Sequence, residues 1–174
     1  MPDLSVNRRA AFDYEILETY EAGIELRGFE VKSVKNGHIN LAGSFAVVRP
    51  VRSKPRRDVG TAAAPDAQRT SNGVSGNEIF LLNATIPAYQ PKNAPENYDP
   101  QRSRRLLLHK SQIKELIGAS SRQGLTIVPL RVYSKKNLVK VLLGLGRSKK
   151  KTDKREIIKK RETDREIDRM MKNA

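Results

Sequence analysis

The stretch Leu138-Val139-Lys140-Val141-Leu142-Leu143-Gly144-Leu145-Gly146-Arg147-Ser148-Lys149-Lys150-Lys151-Thr152-Asp153-Lys154-Arg155 divides the chain in two. Its first half sets Val139, Val141 and Leu143 at every second position with Lys140 between them, the pattern of a strand with one buried face. On that alternation Lys140 faces outward, where its ammonium can meet an anion. Beyond Gly144 and Gly146 the apolar residues give way to cations. The segment 147–174 holds 12 basic and 6 acidic residues and too little apolar surface to fold alone in water. The expectation is a folded body over 1–146 and a basic tail over 147–174.

Composition extends this reading to both parts. The 174 residues include 34 Lys+Arg against 19 Asp+Glu, a formal charge of +15, of which the tail carries +6 and the body the remaining +9. Such a field favours a polyanion, RNA first among them. A membrane fits less well, because no apolar run approaches the ~18 residues of a span and the tail has no aromatic residue for a lipid interface. The absence of Cys excludes disulfides and thiolate zinc sites, and the N-terminus has no apolar signal-peptide core. Both point to a reducing, cytoplasmic setting. His38 and His109 are the only histidines and share no metal-ligand spacing, and there is no phosphate-binding glycine loop or nucleophile elbow. No catalytic residue, metal or cofactor is therefore expected. Glu15, Glu18 and Glu21 read as the wet face of a hairpin rather than as a reactive carboxylate pair.

In chain order, Phe12, Tyr14 and Ile16 alternate with charged residues, and Glu21-Ala22-Gly23 is expected to turn the chain into Ile24-Glu25-Leu26 as a β-hairpin. Gly28 to Lys35 reads as a short helix stopped by Asn36-Gly37. Phe45 to Val48 and Ile79 to Leu82 read as partner strands. Between them, 50–76 is rich in small and basic residues without an aromatic. It is either a solvated, disordered insertion or a second RNA-touching finger. The stretch 87–100, with four prolines, suits an extended connector. Ser111 is placed to cap a helix that carries Ile113, Leu116 and Ile117 on one face, stops at Gly118 and covers an open end of the sheet. Thr126, Val128, Leu130 and Val132 alternate strictly, and Pro129 requires an edge or a position that donates no ladder bond. The sum is a mainly β fold with short helices: a small antiparallel OB-like barrel plus a basic C-terminal tail, with no internal repeat.

Four blocks in a fixed order carry a resemblance: Tyr20-Glu21-Ala22-Gly23, Gly28-Phe29-Glu30-Val31-Lys32-Ser33, Arg105-Leu106-Leu107-Leu108-His109-Lys110 and Asp153-Lys154-Arg155. In them the chain resembles the SsrA-binding protein (small protein B) family, over nearly its whole length outside the insertion. The resemblance implies a non-enzymatic, monomeric partner of transfer-messenger RNA that brings the tRNA-like end of that RNA to stalled bacterial ribosomes for trans-translation. It places barrel contacts to RNA at Glu21, Leu107, His109 and Lys140. The tail contacts, in the small-subunit decoding centre and empty message channel, fall on Asp153, Lys154 and Arg155. Arg147, Lys149 and Lys150 lie at the tail root. If the tail is disordered when free and helical when bound, Lys154, Arg161, Arg165, Arg169 and Lys172 gather within about 80° of one face.

Two positions depart from the family pattern: Ser148 replaces a usual glycine, and Thr152 an aromatic or histidine before Asp-Lys-Arg. From the residues alone, Leu107 can equally be core and Glu21 a solvated turn residue. The competing functional class is a structural ribosomal RNA-binding protein.

Overall fold

The computed structural model describes residues 3–52, 74–90, 92, 95–120, 124–150, 162–163, 165–167 and 169–171. In chain order the elements are β1 (Asp3–Val6), α1 (Arg8–Asp13), β2 (Tyr14–Ile24), α2 (Gly28–Lys35), β3 (Phe45–Arg52), β4 (Val74–Leu82), β5 (Arg104–Leu107), α3 (Lys110–Ser120), β6 (Leu125–Lys135) and β7 (Leu138–Ser148). Every strand pairing is antiparallel, in the order β1-β6-β3-β4-β5-β2-β7, and β7 pairs back onto β6. Six strands thus close a ring, with β1 added outside it on β6. The closed ring is the small barrel expected, with one more strand than a five-stranded OB barrel.

The ring is uneven. β7 pairs with β6 from Leu138 to Arg147 and with β2 from Lys140 to Ser148, whereas β3 meets β6 only at Ala46↔Ile127. β7 is therefore the best-paired strand, buried on one face by Val139, Val141, Leu143 and Leu145 as its alternation predicts. Ile79, Leu81, Val132 and Val34 meet these residues in the core, and Leu116 of α3 joins them, so α3 does cover an end of the barrel.

β7 does not stop at its glycines but runs through them to Ser148, and the next residue, Lys149, donates its N–H to Asp13 O at 2.9 Å. The glycines serve close approach. A Cβ at residue 146 would lie 2.7 Å from the Glu15 carbonyl oxygen, and one at 144 would lie 3.0 Å from Leu130 Cδ1 and 3.1 Å from Ile16 Cδ1.

The hairpin expected at Glu21-Ala22-Gly23 does not form, because β2 runs unbroken to Ile24. Gly23 is an extended strand residue with Lys140 on one side and Leu107 on the other. A Cβ there would stand 3.3 Å from Leu107 Cβ, so the glycine admits β5 rather than turning β2. Phe12 belongs to α1, whose Asn7 cap accepts from the Ala10 N–H at 3.1 Å.

The alternation expected in β6 breaks at Leu130, where a bulge separates Pro129 from Arg131: Val128 and Val132 are buried as expected, but so are Ile127 and Tyr133, and Thr126 and Leu130 are only half-buried. Pro129 thus stands at an irregularity, as its missing N–H requires. Asn7 fills the gap, donating its Nδ2 to Pro129 O at 3.0 Å and its N–H to Leu130 O at 2.7 Å.

Helix α2 spans the residues expected, and Gly37 takes φ +81° just beyond it. Helix α3 starts before Ser111 and passes through Gly118 to Ser120. Its entry is made by Gln112, whose Oε1 accepts from the His109 N–H at 3.2 Å, so neither the expected cap nor the expected stop is used. The connector is tied down where Ile86 N–H donates to Pro100 O at 3.0 Å and Tyr98 hydroxyl to Ile86 O at 2.7 Å.

β3 and β4 pair from Phe45↔Leu82 to Arg52↔Val74, so 50–52 and 74–76, the two ends of the insertion expected over 50–76, are strand, and 53–73 lie outside the described residues. So do Asp153, Lys154, Arg155 and Arg161. The tail expected over 147–174 begins inside β7, which holds Arg147 and Ser148, and where a tail disordered when free was expected, 162–163, 165–167 and 169–171 are helical and exposed.

Candidate nucleic-acid interface

Glu21 stands on the outer face of β2, one strand from β7 and two from β6. The register sets Tyr133 of β6 opposite Lys140 of β7, which in turn faces Gly23 of β2. Three donors converge on the Glu21 carboxylate in consequence. Tyr133 donates its hydroxyl to Oε2, Lys135 donates Nζ to Oε2 at 2.9 Å and to Oε1 at 3.2 Å, and Lys140 Nζ stands 3.5 Å from Oε1. The hydrogen bonds from Tyr133 and Lys135, together with the charges of Lys135 and Lys140, hold this carboxyl down at about 2. Burial and the bond to Glu21 push the Tyr133 phenol up to about 12. At neutral pH the group is an anion ringed by two cations and a neutral phenol.

Beside it opens a cleft of about 440 Å³ lined by Glu21, Leu107, Leu108, His109, Gln112 and Lys140. All four barrel residues picked out in the sequence therefore share one site. Leu107 is 48% exposed while its neighbour Leu106 is 2% exposed, so Leu107 is a surface residue and not core. Glu21 lies within a strand, not in a turn. His109 is exposed at the entry to α3. Lys140 does face outward as predicted, but its ammonium is shared with Glu21. Tyr133, Lys135, Leu108 and Gln112 were missed. For the first two a signal existed: Lys136-Asn137, with φ of 49° and 63°, is a two-residue turn whose register brings Tyr133 opposite Lys140.

The strand that supplies Leu107 is fixed from within. Arg104, at its other end, is wholly buried against the wholly buried Glu30 of α2, with Nε and Nη2 donating to Oε1 at 3.1 and 2.9 Å. Arg102 donates Nε to the same oxygen at 2.9 Å, Tyr98 adds its hydroxyl at 3.0 Å, and Arg27 N–H reaches Oε2 at 2.8 Å. The remaining Arg104 donors bond the carbonyls of Ala84, Arg102 and Pro100. Burial pushes the Glu30 carboxyl up, but the bonds from Arg102 and Arg27, the Arg104 charge and the Tyr98 bond outweigh it and hold it at about 2.

The tail-root cations sit elsewhere. Arg147 is exposed at the far end of β7, opposite Glu15, and Lys149 donates Nζ to Ala11 O at 3.2 Å. Lys150 is exposed beside them, and Arg165 and Arg169 are exposed on the described tail helix. Among the described residues no group of three or more His, Cys, Asp and Glu could hold a metal ion, and no helix is long and apolar enough to cross a membrane.

A family model described as "SmpB protein" matches residues 4–53 and 70–173. The chain belongs to the SmpB family. Among its SmpB relatives, an SsrA-binding protein of Synechocystis sp. is 44% identical over 169 residues, covering 97% of this chain and 93% of the relative. One from Enterococcus faecalis is 44% identical over 170 residues, covering 98% and 93%. A solved SmpB chain, described by the words "tmRNA-SmpB: a journey to the center of the bacterial ribosome", is 42% identical with a TM-score of 0.56. The match covers 84% of this chain and 85% of that one.

Proposed function

We propose that this chain is a non-enzymatic RNA-binding factor that binds the tRNA-like domain of transfer-messenger RNA and delivers it to stalled bacterial ribosomes in the cytoplasm. The observation that carries the reading is the convergence of Glu21, Leu107, His109 and Lys140 on one cleft, in a chain of formal charge +15. Relatives named SsrA-binding proteins and the solved tmRNA-SmpB chain support the same RNA and the ribosome as partners. The chemistry suits RNA. Lys135 and Lys140 can exchange part of their bond to Glu21 for a phosphate, Glu21 can accept from a base amino group or a 2′-hydroxyl, and Leu107 offers an apolar surface to a base or ribose. The body, through Ser148, holds the tRNA-like domain. The tail beyond it reaches the decoding centre and message channel through Asp153, Lys154 and Arg155, with Arg161, Arg165 and Arg169 along phosphates.

The test is to sequence the RNA that copurifies with the chain and to measure the affinity of that RNA for variants. One small tRNA-like RNA is expected; ribosomal RNA retained stoichiometrically through high-salt washing contradicts the reading. Lys140→Ala is expected to weaken binding about tenfold without moving the thermal midpoint, because the side chain lies outside the core. A chain ending at Ser148 is expected to bind the RNA yet fail to support tagging of the stalled nascent chain. Normal tagging by that truncation removes the role given to the tail.

A further inference from the structure

Next to the cleft, and sharing Leu107 and Lys140 with it, lies a second hollow of about 330 Å³ whose other walls include Leu26, Val31, Asn137 and Leu138. Its character differs from that of the cleft. Leu107 and Leu138 are 48% and 63% exposed, and apart from Gly23 the lining is aliphatic except for two polar side chains, Asn137 and Lys140. A flat ligand with apolar faces and a hydrogen-bonding edge fits such a lining, and a nucleobase freed from its stack is one.

Two backbone features build the hollow. Gly23 lets β5 approach so closely that any side chain there would crowd Leu107, a Cβ meeting Leu107 Cβ at 3.3 Å. Lys136 and Asn137, both at positive φ, return β6 into β7 within two residues and set Asn137 and Leu138 on the rim. A lysine in the left-handed region is uncommon, so the tightness of this turn carries some strain.

We propose that this hollow receives one unstacked base of the RNA held in the adjoining cleft, with its faces against Leu107 and Leu138 and its edge toward the Asn137 amide. The inference rests on the RNA-binding reading of the cleft and adds a base-selective subsite to it. Continuity argues for this occupant: Lys140 belongs to both cavities, and Lys135 lies beside it on Glu21, so a phosphate flanking the base would meet a cation as the strand passes from one cavity to the other.

The experiment uses the full chain and transcripts of the tRNA-like domain carrying 2-aminopurine at one unpaired loop position each. With the unaltered protein, one transcript is expected to brighten on binding, as its reporter leaves the stack. Leu138→Ala, at an exposed position, is expected to abolish that change and weaken binding about tenfold, the scale of one lost base contact. Asn137→Gly keeps the turn, because glycine adopts φ near +63°, and is expected to lower affinity several-fold while narrowing the preference among bases at that position. If Lys140→Ala weakens binding while Leu138→Ala and Asn137→Gly bind with unchanged affinity and fluorescence, the subsite is overturned and the cleft stands. If Lys140→Ala also binds normally, cleft and subsite are both overturned.

Discussion

Two carboxylates in this molecule, Glu21 and Glu30, are both held at about 2, by opposite balances. Glu30 is sealed from water, and burial alone would push its pKa up; two arginines, a tyrosine and a backbone N–H reverse that. Glu21 is open to solvent, and the bonds from Tyr133 and Lys135 pull it down with little burial to overcome. The cluster around Glu30 binds the wholly buried Arg104 to fixed acceptors in α2, the connector and the loop before β5, so it holds these segments together. The open cluster has water at hand, so Lys135 and Lys140 can change partners. Access to solvent, more than the strength of the interaction, separates a fixed cluster from an exchangeable one here.

Removing each carboxylate should separate the two most widely. Glu30→Ala leaves the Arg104 guanidinium buried without its counterion and is expected to cost about 3 to 5 kcal/mol in urea unfolding. Glu21→Ala should leave the urea midpoint near that of the unaltered chain and act on RNA affinity instead. Equal destabilisation by both would erase the distinction.

Salt should act on the open side only. With about 5 to 8 phosphate contacts, RNA affinity is expected to fall by about two or more decades between about 50 and 200 mM salt. The urea midpoint should barely move over that range, because the buried pair is poorly screened. A flat binding titration would remove electrostatics from the interface.

Acid gives the smallest and most graded effect. The folded-state pKa of Glu30 lies below its ordinary 4.5, so its contribution to stability is fully present above that value and is lost as pH falls toward about 2. Unfolding followed between pH 5 and pH 2 should therefore show a downward limb that Glu30→Gln flattens. Glu21 shifts in the same direction, but its exposure means that Glu21→Gln should leave the limb almost intact. If Glu21→Gln flattens it instead, the roles of the two clusters are reversed.

The legible parts of this fold were those set by local pattern. The alternation in β7, the Asn36-Gly37 stop of α2 and the paired apolar runs of β3 and β4 each depend on neighbours in sequence. What escaped depends on approach between distant segments. Gly23 and Gly146 were read as turn and terminus because glycine serves both bends and close contacts, and only the chain that comes near shows which. The bulge at Leu130 breaks an alternation that looked regular, because the side chain of Asn7, far away in sequence, takes the Pro129 carbonyl. Three consecutive leucines, Leu106 to Leu108, could not by themselves reveal which one faces water. That choice follows from the pairing of β5 with β2 and β4. The cleft residues came from family resemblance, whereas Lys135 and Tyr133 needed the hairpin register. Arg104 could not be recognised as an interior residue, because the glutamate that makes its burial tolerable lies 74 positions earlier.

Strand β7 has Lys140 near one end and Ser148 at the other, and it is clamped by β2 and β6 along the way. Eight steps of about 3.3 Å place the tail root roughly 26 Å from the cleft. The strand is in effect a ruler between the cleft and the tail root. It cannot be lengthened by one residue without turning its inner face outward, so the offset between whatever the barrel holds and the point where the tail departs is a constant of the fold. Any adjustment to a differently spaced target has to be made in the RNA or in the tail beyond Ser148.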